Sequence, residues 1–230
     1  MLIGEILNKT FGHVYVKNLP DSTERRKFVE DSLKKNKVQY TIVPACNGLN
    51  FCTSNFSIQH GPFNLTYPSS AGFLGFQLSD IKMLIDEIDR KSDSCLCLTD
   101  DVFIRNVSAL SEESVRTIPE NIPSDWDMII MGGLVLDGPL TNTTQFTYNR
   151  ATTSHQIAGA SAIAINKNIY IEYLARLMKF DYYADGLLDK MAQDGIKIYT
   201  LNPGLMFQNR SMKSDVNKCF TNDYIIDTRS

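Results

Sequence analysis

The chain has 230 residues, 43% of them hydrophobic, which is enough to bury a full core, and a formal net charge of −3. Its pI near 5.6, with no long Lys/Arg run, argues against nucleic acid or an anionic membrane surface as the main partner. No run of about 18 apolar residues exists to span a bilayer, and Met1–Leu7 lacks the basic-then-apolar pattern of a secretory signal. Cys95 and Cys97 lie two apart in an apolar run, and the cysteines are odd in number. The expectation is therefore reduced thiols in a cytoplasmic compartment.

In chain order, His13–Lys17 alternates and is β-branched, which predicts a first strand. Asn18-Leu19-Pro20-Asp21-Ser22 follows as a turn with helix-start chemistry, Asp21 or Ser22 serving as cap. A helix then carries Phe28, Val29 and Leu33 at helical spacing. Val38–Val43 reads as a second strand, stopped by Pro44 to Gly48. Strand, helix and strand in about 35 residues make a βαβ unit with a parallel pair. Residues 49–70 are polar and without period, an irregular loop of the length usually tied to function.

The next helix starts near Gly72–Gly75 and runs through Ile81, Leu84, Ile85 and Ile88. It delivers the chain to Ser94-Cys95-Leu96-Cys97-Leu98-Thr99-Asp100-Asp101-Val102. The unbroken apolar run predicts a strand buried on both faces, mid-sheet. In open α/β sheets, ligands sit beyond the carboxyl ends of such strands, where Asp100 and Asp101 stand. Two adjacent carboxylates repel unless neutralised. A hard divalent cation shared with substrate phosphates does this; an acidic turn is the other reading.

Ser111–Arg116 reads as a short helix, and Trp126–Met131 as a strand closed by Gly132-Gly133. Residues 134–153 fit a hairpin or an acceptor-side loop. Gly159–Ile165 is small and apolar, and Asn168–Met178 is an amphipathic helix. Asp181–Asp185 opens another helix, which ends at Gly195. Ile196–Thr200 is the last strand. The expectation is one domain with a core of about residues 12–216 and a loosely held tail from about Lys218.

These segments together resemble glycosyltransferase family 25, the group of lipooligosaccharide galactosyltransferases and collagen β-galactosyltransferase domains. The resemblance rests on Asn18-Leu19 after the first strand with Arg25 beyond it, Asn47-Gly48, Gly72-Phe-Leu-Gly75 with Ser79, and Leu98-Thr99-Asp100-Asp101-Val102. Asp185, Pro203, Gln208 and Ser214-Asp215 complete the order. It departs at Thr99, where the family has Glu, and at Asp80, where the family has His.

The resemblance implies an α/β fold of GT-A type, with a mostly parallel central sheet and helices on both faces. It implies an inverting, Mn²⁺- or Mg²⁺-dependent transfer of galactose or glucose from a UDP-sugar to a glycan, lipid-linked sugar or protein hydroxyl. Asp101 is then the metal ligand, with Asp100 and Gln208 beside it. Asn18, Arg25, Asn47, Ser79, Thr99 and Asp100 serve the nucleotide, and Asp185 is the general base, with Asp181 its rival. His155 is a candidate imidazole in the acceptor region. A degenerate member that keeps the fold and only binds is the alternative.

Overall fold

The computed structural model describes residues 3–51, 57–60, 63–66, 69–105, 112–132, 147–150, 161–209 and 211–212. The chain runs α1 (Ile3–Phe11), β1 (His13–Asn18), α2 (Thr23–Lys35), β2 (Thr41–Pro44), a 3-10 turn at Gly48–Asn50, β3 (Ser57–His60), β4 (Phe63–Thr66) and α3 (Ser69–Arg90). It continues through β5 (Ser94–Thr99), β6 (Val102–Ile104), α4 (Glu112–Glu120), β7 (Met128–Gly132), β8 (Thr147–Arg150) and β9 (Ala162–Asn166). A second 3-10 turn at Lys167–Ile169 leads into α5 (Tyr170–Leu177), α6 (Ala184–Gln193), β10 (Ile198–Asn202) and β11 (Met206–Gln208).

Seven strands form one sheet in the order β2-β1-β5-β9-β7-β10-β8. β2, β1 and β5 are mutually parallel, and so are β7 and β10. β9 runs antiparallel between β5 and β7, and β8 antiparallel on the β10 edge. The sheet is thus mostly parallel, with β5 at its interior, as its unbroken apolar run predicts. Two small pairs stand apart from it, β6 with β11 and β3 with β4.

Strand alternation divides the core in two. Val14, Val16, Leu96, Leu98, Ile129 and Met131 face one side, against Ile6, Leu7 and Phe11 of α1, Val29 and Leu33 of α2, and Ile118 of α4. Tyr15, Cys95, Cys97, Met128, Ile130 and Ile163 face the other, against Met83 and Leu84 of α3, Tyr173 and Leu177 of α5, and Leu187 and Leu188 of α6. Because successive side chains on a strand point to opposite faces, both faces must be covered, and helices cover both. Each fully buried Leu or Phe contributes about 1.5–3 kcal/mol.

Several elements differ from the sequence reading. Ile3–Phe11 is a helix, although the reading weighed that stretch only as a targeting segment; Ile3, Ile6, Leu7 and Phe11 are its buried side. Ser22 holds the N-cap position of α2 but its side chain makes no cap bond. Instead its carbonyl accepts from Arg26 N at 3.0 Å and Asn18 Nδ2 at 3.1 Å. The second strand begins at Thr41, because Val38 N still donates to Leu33 O in the turn that ends α2. The 49–70 loop contains β3 and β4, and the 134–153 loop contains β8. The small apolar run at Gly159–Ile165 supplies the antiparallel β9. Gly195 closes α6 at φ +96°, as expected of a helix-ending glycine. His155, Ser214-Asp215 and the tail from Lys218 lie outside the described residues.

Candidate active site at the carboxyl end of the central strand

The parallel register sets Lys17 beside Thr99 across β1 and β5, so the next residues, Asn18 and Asp100, come abreast as both strands end. Asn18 Nδ2 donates to Asp100 Oδ2 at 2.7 Å. The antiparallel β6–β11 pair opposes Gln208 to Val102, bringing Gln208 Nε2 to Asp101 Oδ2 at 2.7 Å. Asn209 N also donates to the Asp101 carbonyl at 2.8 Å. Thr99 Oγ1 donates to Asp101 Oδ1 at 2.6 Å, and Thr99 N to Ser161 O on the β9 side at 2.8 Å.

Arg25, in the first turn of α2, spans the pair. Its Nε and terminal nitrogen reach Asp100 Oδ1 at 2.8 and 2.6 Å, and the same terminal nitrogen reaches Asp101 Oδ2 at 3.0 Å. α2 is pinned beside β6 by Ser32 Oγ, which accepts from Ile104 N at 2.9 Å. Phe103 packs between Phe28 and Phe207 at ring distances of 6.3 and 6.0 Å. Arg25 is therefore held over the carboxylates by its helix. Asp100 and Asp101 are only 5% and 3% exposed. Burial pushes the Asp100 carboxyl up, against the downward pull of the Arg25 guanidinium and the Asn18 amide; the neighbouring Asp101 charge adds to the rise.

Six of the expected residues thus meet in one bonded cluster: Asn18, Arg25, Thr99, Asp100, Asp101 and Gln208. Asn47 and Ser79 belong to a neighbouring arrangement. Asn47 is exposed, and its side chain accepts from Leu49 N at 3.1 Å to cap the 3-10 turn. Ser79 is 1% exposed. Its hydroxyl accepts from Cys46 N at 2.9 Å and donates to Gly75 O at 2.6 Å, which fixes the loop after β2 onto α3. Asp185 stands half-buried in the first turn of α6, and its rival Asp181 is exposed just before it. The Asp185 charge, like that of Asp80, acts on the buried Tyr173 hydroxyl; burial is the main cause that drives this phenol upward, and both carboxylates add to it.

The sequence reading passed over Lys17. It is 6% exposed, forms an ion pair with the still more buried Asp80, and lies over the Phe76 ring at 3.5 Å from the centroid. Burial opposes its charge, but Asp80, with Cys97 beside it, outweighs burial and holds its pKa up. Cys97 Sγ is 3.7 Å from Asp80 Oδ1, and burial, opposed by Lys17, pushes that thiol up to about 12. The signal was present: a lysine within a strand buried on both faces requires a counter-ion, and Asp80 supplies it.

The donor set at the Asp pair is all oxygen, two carboxylates with an amide carbonyl on Gln208, which suits Mg²⁺ or Mn²⁺. The Arg25 guanidinium already stands in for a cation between the carboxylates. Among the described residues no group of three or more His, Cys, Asp or Glu could hold a metal by itself. An ion here would need further oxygen ligands from outside the described residues, as Mg²⁺ takes from substrate phosphates.

No family model matches the chain, and no curated protein matches it. Among solved structures, it is similar to a glycosyltransferase involved in the glycosylation of the major capsid of PBCV-1, at 9% identity and TM-score 0.44, over 87% of this chain and 93% of that one. It is also similar to a protein of STIV, at 13% identity and TM-score 0.41, over 82% and 80% of the two chains. A nucleotidyl transferase from Methanothermobacter thermautotroptrophicus follows at 17% identity and TM-score 0.34, over 90% and 70%. Likeness at this level assigns no function.

Proposed function

We propose that this chain is a GT-A-type, inverting glycosyltransferase that moves galactose or glucose from a UDP-sugar to a hydroxyl of a glycan, lipid-linked sugar or protein. The observation that carries the reading is the buried Asp100–Asp101 pair at the carboxyl end of β5, where open α/β sheets bind ligands, bonded to Asn18, Arg25, Thr99 and Gln208.

In this reading Asp101 and Asp100, with Gln208 beside them, hold Mn²⁺ or Mg²⁺. The ion supplies positive charge against the diphosphate that leaves. Thr99 and Gln208 orient the Asp101 carboxylate through its two oxygens, and Asn18 orients Asp100. Arg25 carries the fork geometry that pairs with phosphate oxygens. Asn47 and Ser79 shape the nucleotide side of the cleft. Asp185 takes the proton from the acceptor hydroxyl as its oxygen attacks the anomeric carbon from the face opposite the diphosphate, and inversion follows from that approach.

A second reading, a glycosyltransferase-like fold that only binds, is favoured by one observation. All four carboxylate oxygens of the pair already have protein partners.

Release of UDP from UDP-galactose and UDP-glucose, measured with Asp185→Asn and Asp181→Asn, tests the first reading. Asp185→Asn is expected to lower turnover about 10²–10⁴-fold, the usual weight of a general base, with UDP affinity unchanged, and Asp181→Asn to leave turnover near wild type. The reverse pattern would move the base to Asp181. UDP binding without turnover of any nucleotide sugar would favour the binding module.

A further inference from the structure

Among the described residues the charges around Asp100 and Asp101 do not balance. Two carboxylates, 5% and 3% exposed, share the Arg25 guanidinium, which leaves one formal negative charge among those residues in a buried place. A divalent cation added beside Arg25 would reverse the imbalance to one formal positive charge, equally unsolvated. A divalent cation bound to a sugar-nucleotide diphosphate brings two positive and two negative charges together and leaves the balance as it was. It also offers the guanidinium phosphate oxygens of the kind that forked pairing suits.

We infer that Arg25 is the resident counter-ion of the Asp100–Asp101 pair, and that it yields the pair only to a divalent cation arriving with a phosphate-bearing ligand. Cation and ligand then bind as one coupled event. The inference deepens the glycosyltransferase reading and rests on it for the identity of the ligand. It goes beyond that reading by giving Arg25 two successive partners, carboxylate in the free protein and phosphate in the complex. The geometry supports the exchange. Arg25 is anchored on the first turn of α2, and its side chain is 12% exposed against 7% and 5% for the two aspartates. Thr99, Asn18 and Gln208 keep the carboxylates in place when it leaves.

Coupling between two ligands is reciprocal, so the test measures both directions. Mn²⁺ alone is titrated into wild type and Arg25→Gln by calorimetry, then each is repeated with UDP present. Wild type is expected to show no saturable Mn²⁺ binding without UDP, and Mn²⁺ and UDP are expected to raise each other's affinity by the same factor. Arg25→Gln is expected to bind Mn²⁺ alone at least about tenfold more tightly, since the bared carboxylates then need the cation, and to lose most of the coupling. Adding Asp101→Asn to Arg25→Gln is expected to abolish the gain. Wild type binding Mn²⁺ alone as tightly as Arg25→Gln, or no gain in that variant, would overturn the inference.

Loss of Arg25 leaves two buried carboxylates uncompensated, so thermal melts accompany the titrations. Mn²⁺ is expected to raise the melting temperature of Arg25→Gln more than that of wild type. Should that variant not fold even with Mn²⁺, Arg25→Lys, a point charge without the fork, is expected to show intermediate Mn²⁺ affinity, and affinity equal to wild type would overturn the inference. Pyrophosphate in place of UDP separates the two claims. Coupling of Mn²⁺ with pyrophosphate but not with UDP would keep the role of Arg25 and sink the UDP-sugar reading.

Discussion

At the scale of single residues, the Lys17–Asp80 pair is the sharpest stability determinant beside the site. Both side chains are nearly inaccessible, and each is the other's counter-ion. Lys17→Met alone strands a buried carboxylate and is expected to cost about 3–5 kcal/mol, whereas Lys17→Met with Asp80→Leu is expected to cost far less; denaturant melts of the three proteins check this. The sign with pH follows from the raised lysine pKa. The pair's contribution is fully present below the ordinary value of 10.5 and is lost only as pH rises through the higher folded value. Both proteins that carry Lys17→Met should lack that alkaline component, which only wild type shows. Asp100 and Asp101 were legible because an apolar run ending in two acids has few readings. For Lys17 the need for a counter-ion was legible once its strand is buried on both faces, but not that Asp80, 63 residues on, supplies it.

At the scale of elements, α3 is the brace that holds the loop after β2. Gly48 after β2 and Gly75 on α3 meet backbone to backbone. A Cβ on Gly75 would lie 2.4 Å from Cys46 O and 2.6 Å from Gly48 N, and one on Gly48 would lie 1.6 Å from Ala71 O. Two glycines that the sequence displayed as separate motif positions are therefore one contact. Gly75→Ala must push the loop off the helix and is expected to destabilise by about 1–3 kcal/mol, read as a lower denaturant midpoint at unchanged slope. Under the proposed nucleotide role of Asn47, which immediately precedes Gly48, it should also weaken UDP binding.

Elements with strong period or clear punctuation were legible: α2, α3, α6 and its closing Gly195, β1, β5 and β7. β9 was not, because a short run of small and apolar residues such as Ala162 to Ile165 fits a buried helix segment as well as a strand. Nor could local sequence show that β9 runs antiparallel between two parallel blocks, a choice made by the long connections around it.

At the scale of the molecule, the chain folds as a mixed sheet with α1, α2 and α4 on one face and α3, α5 and α6 on the other. The strand ends that carry Asn18 and Asp100 open on one edge, and the small β6–β11 pair folds over to add Gln208. The α/β class was legible from βαβ spacing and the buried central strand. The convergence of six residues from β1, α2, β5, the turn after it and β11 was legible only through the family resemblance. Their separation in sequence, from Asn18 to Gln208, leaves no local pattern that joins them. The reason for Ser79 to be a serine, two backbone partners on α3 and the β2 loop, was equally invisible before the fold was known.

In the proposed function the Asp100–Asp101 cluster binds a nucleotide diphosphate together with a divalent cation. Calorimetric titration of UDP with and without Mn²⁺, on wild type and on Asp101→Ala, tests it most directly. UDP binding is expected to require Mn²⁺ in wild type and to disappear in Asp101→Ala. UDP binding that is indifferent to both Mn²⁺ and Asp101, or no UDP binding by the folded wild-type protein under either condition, would contradict it.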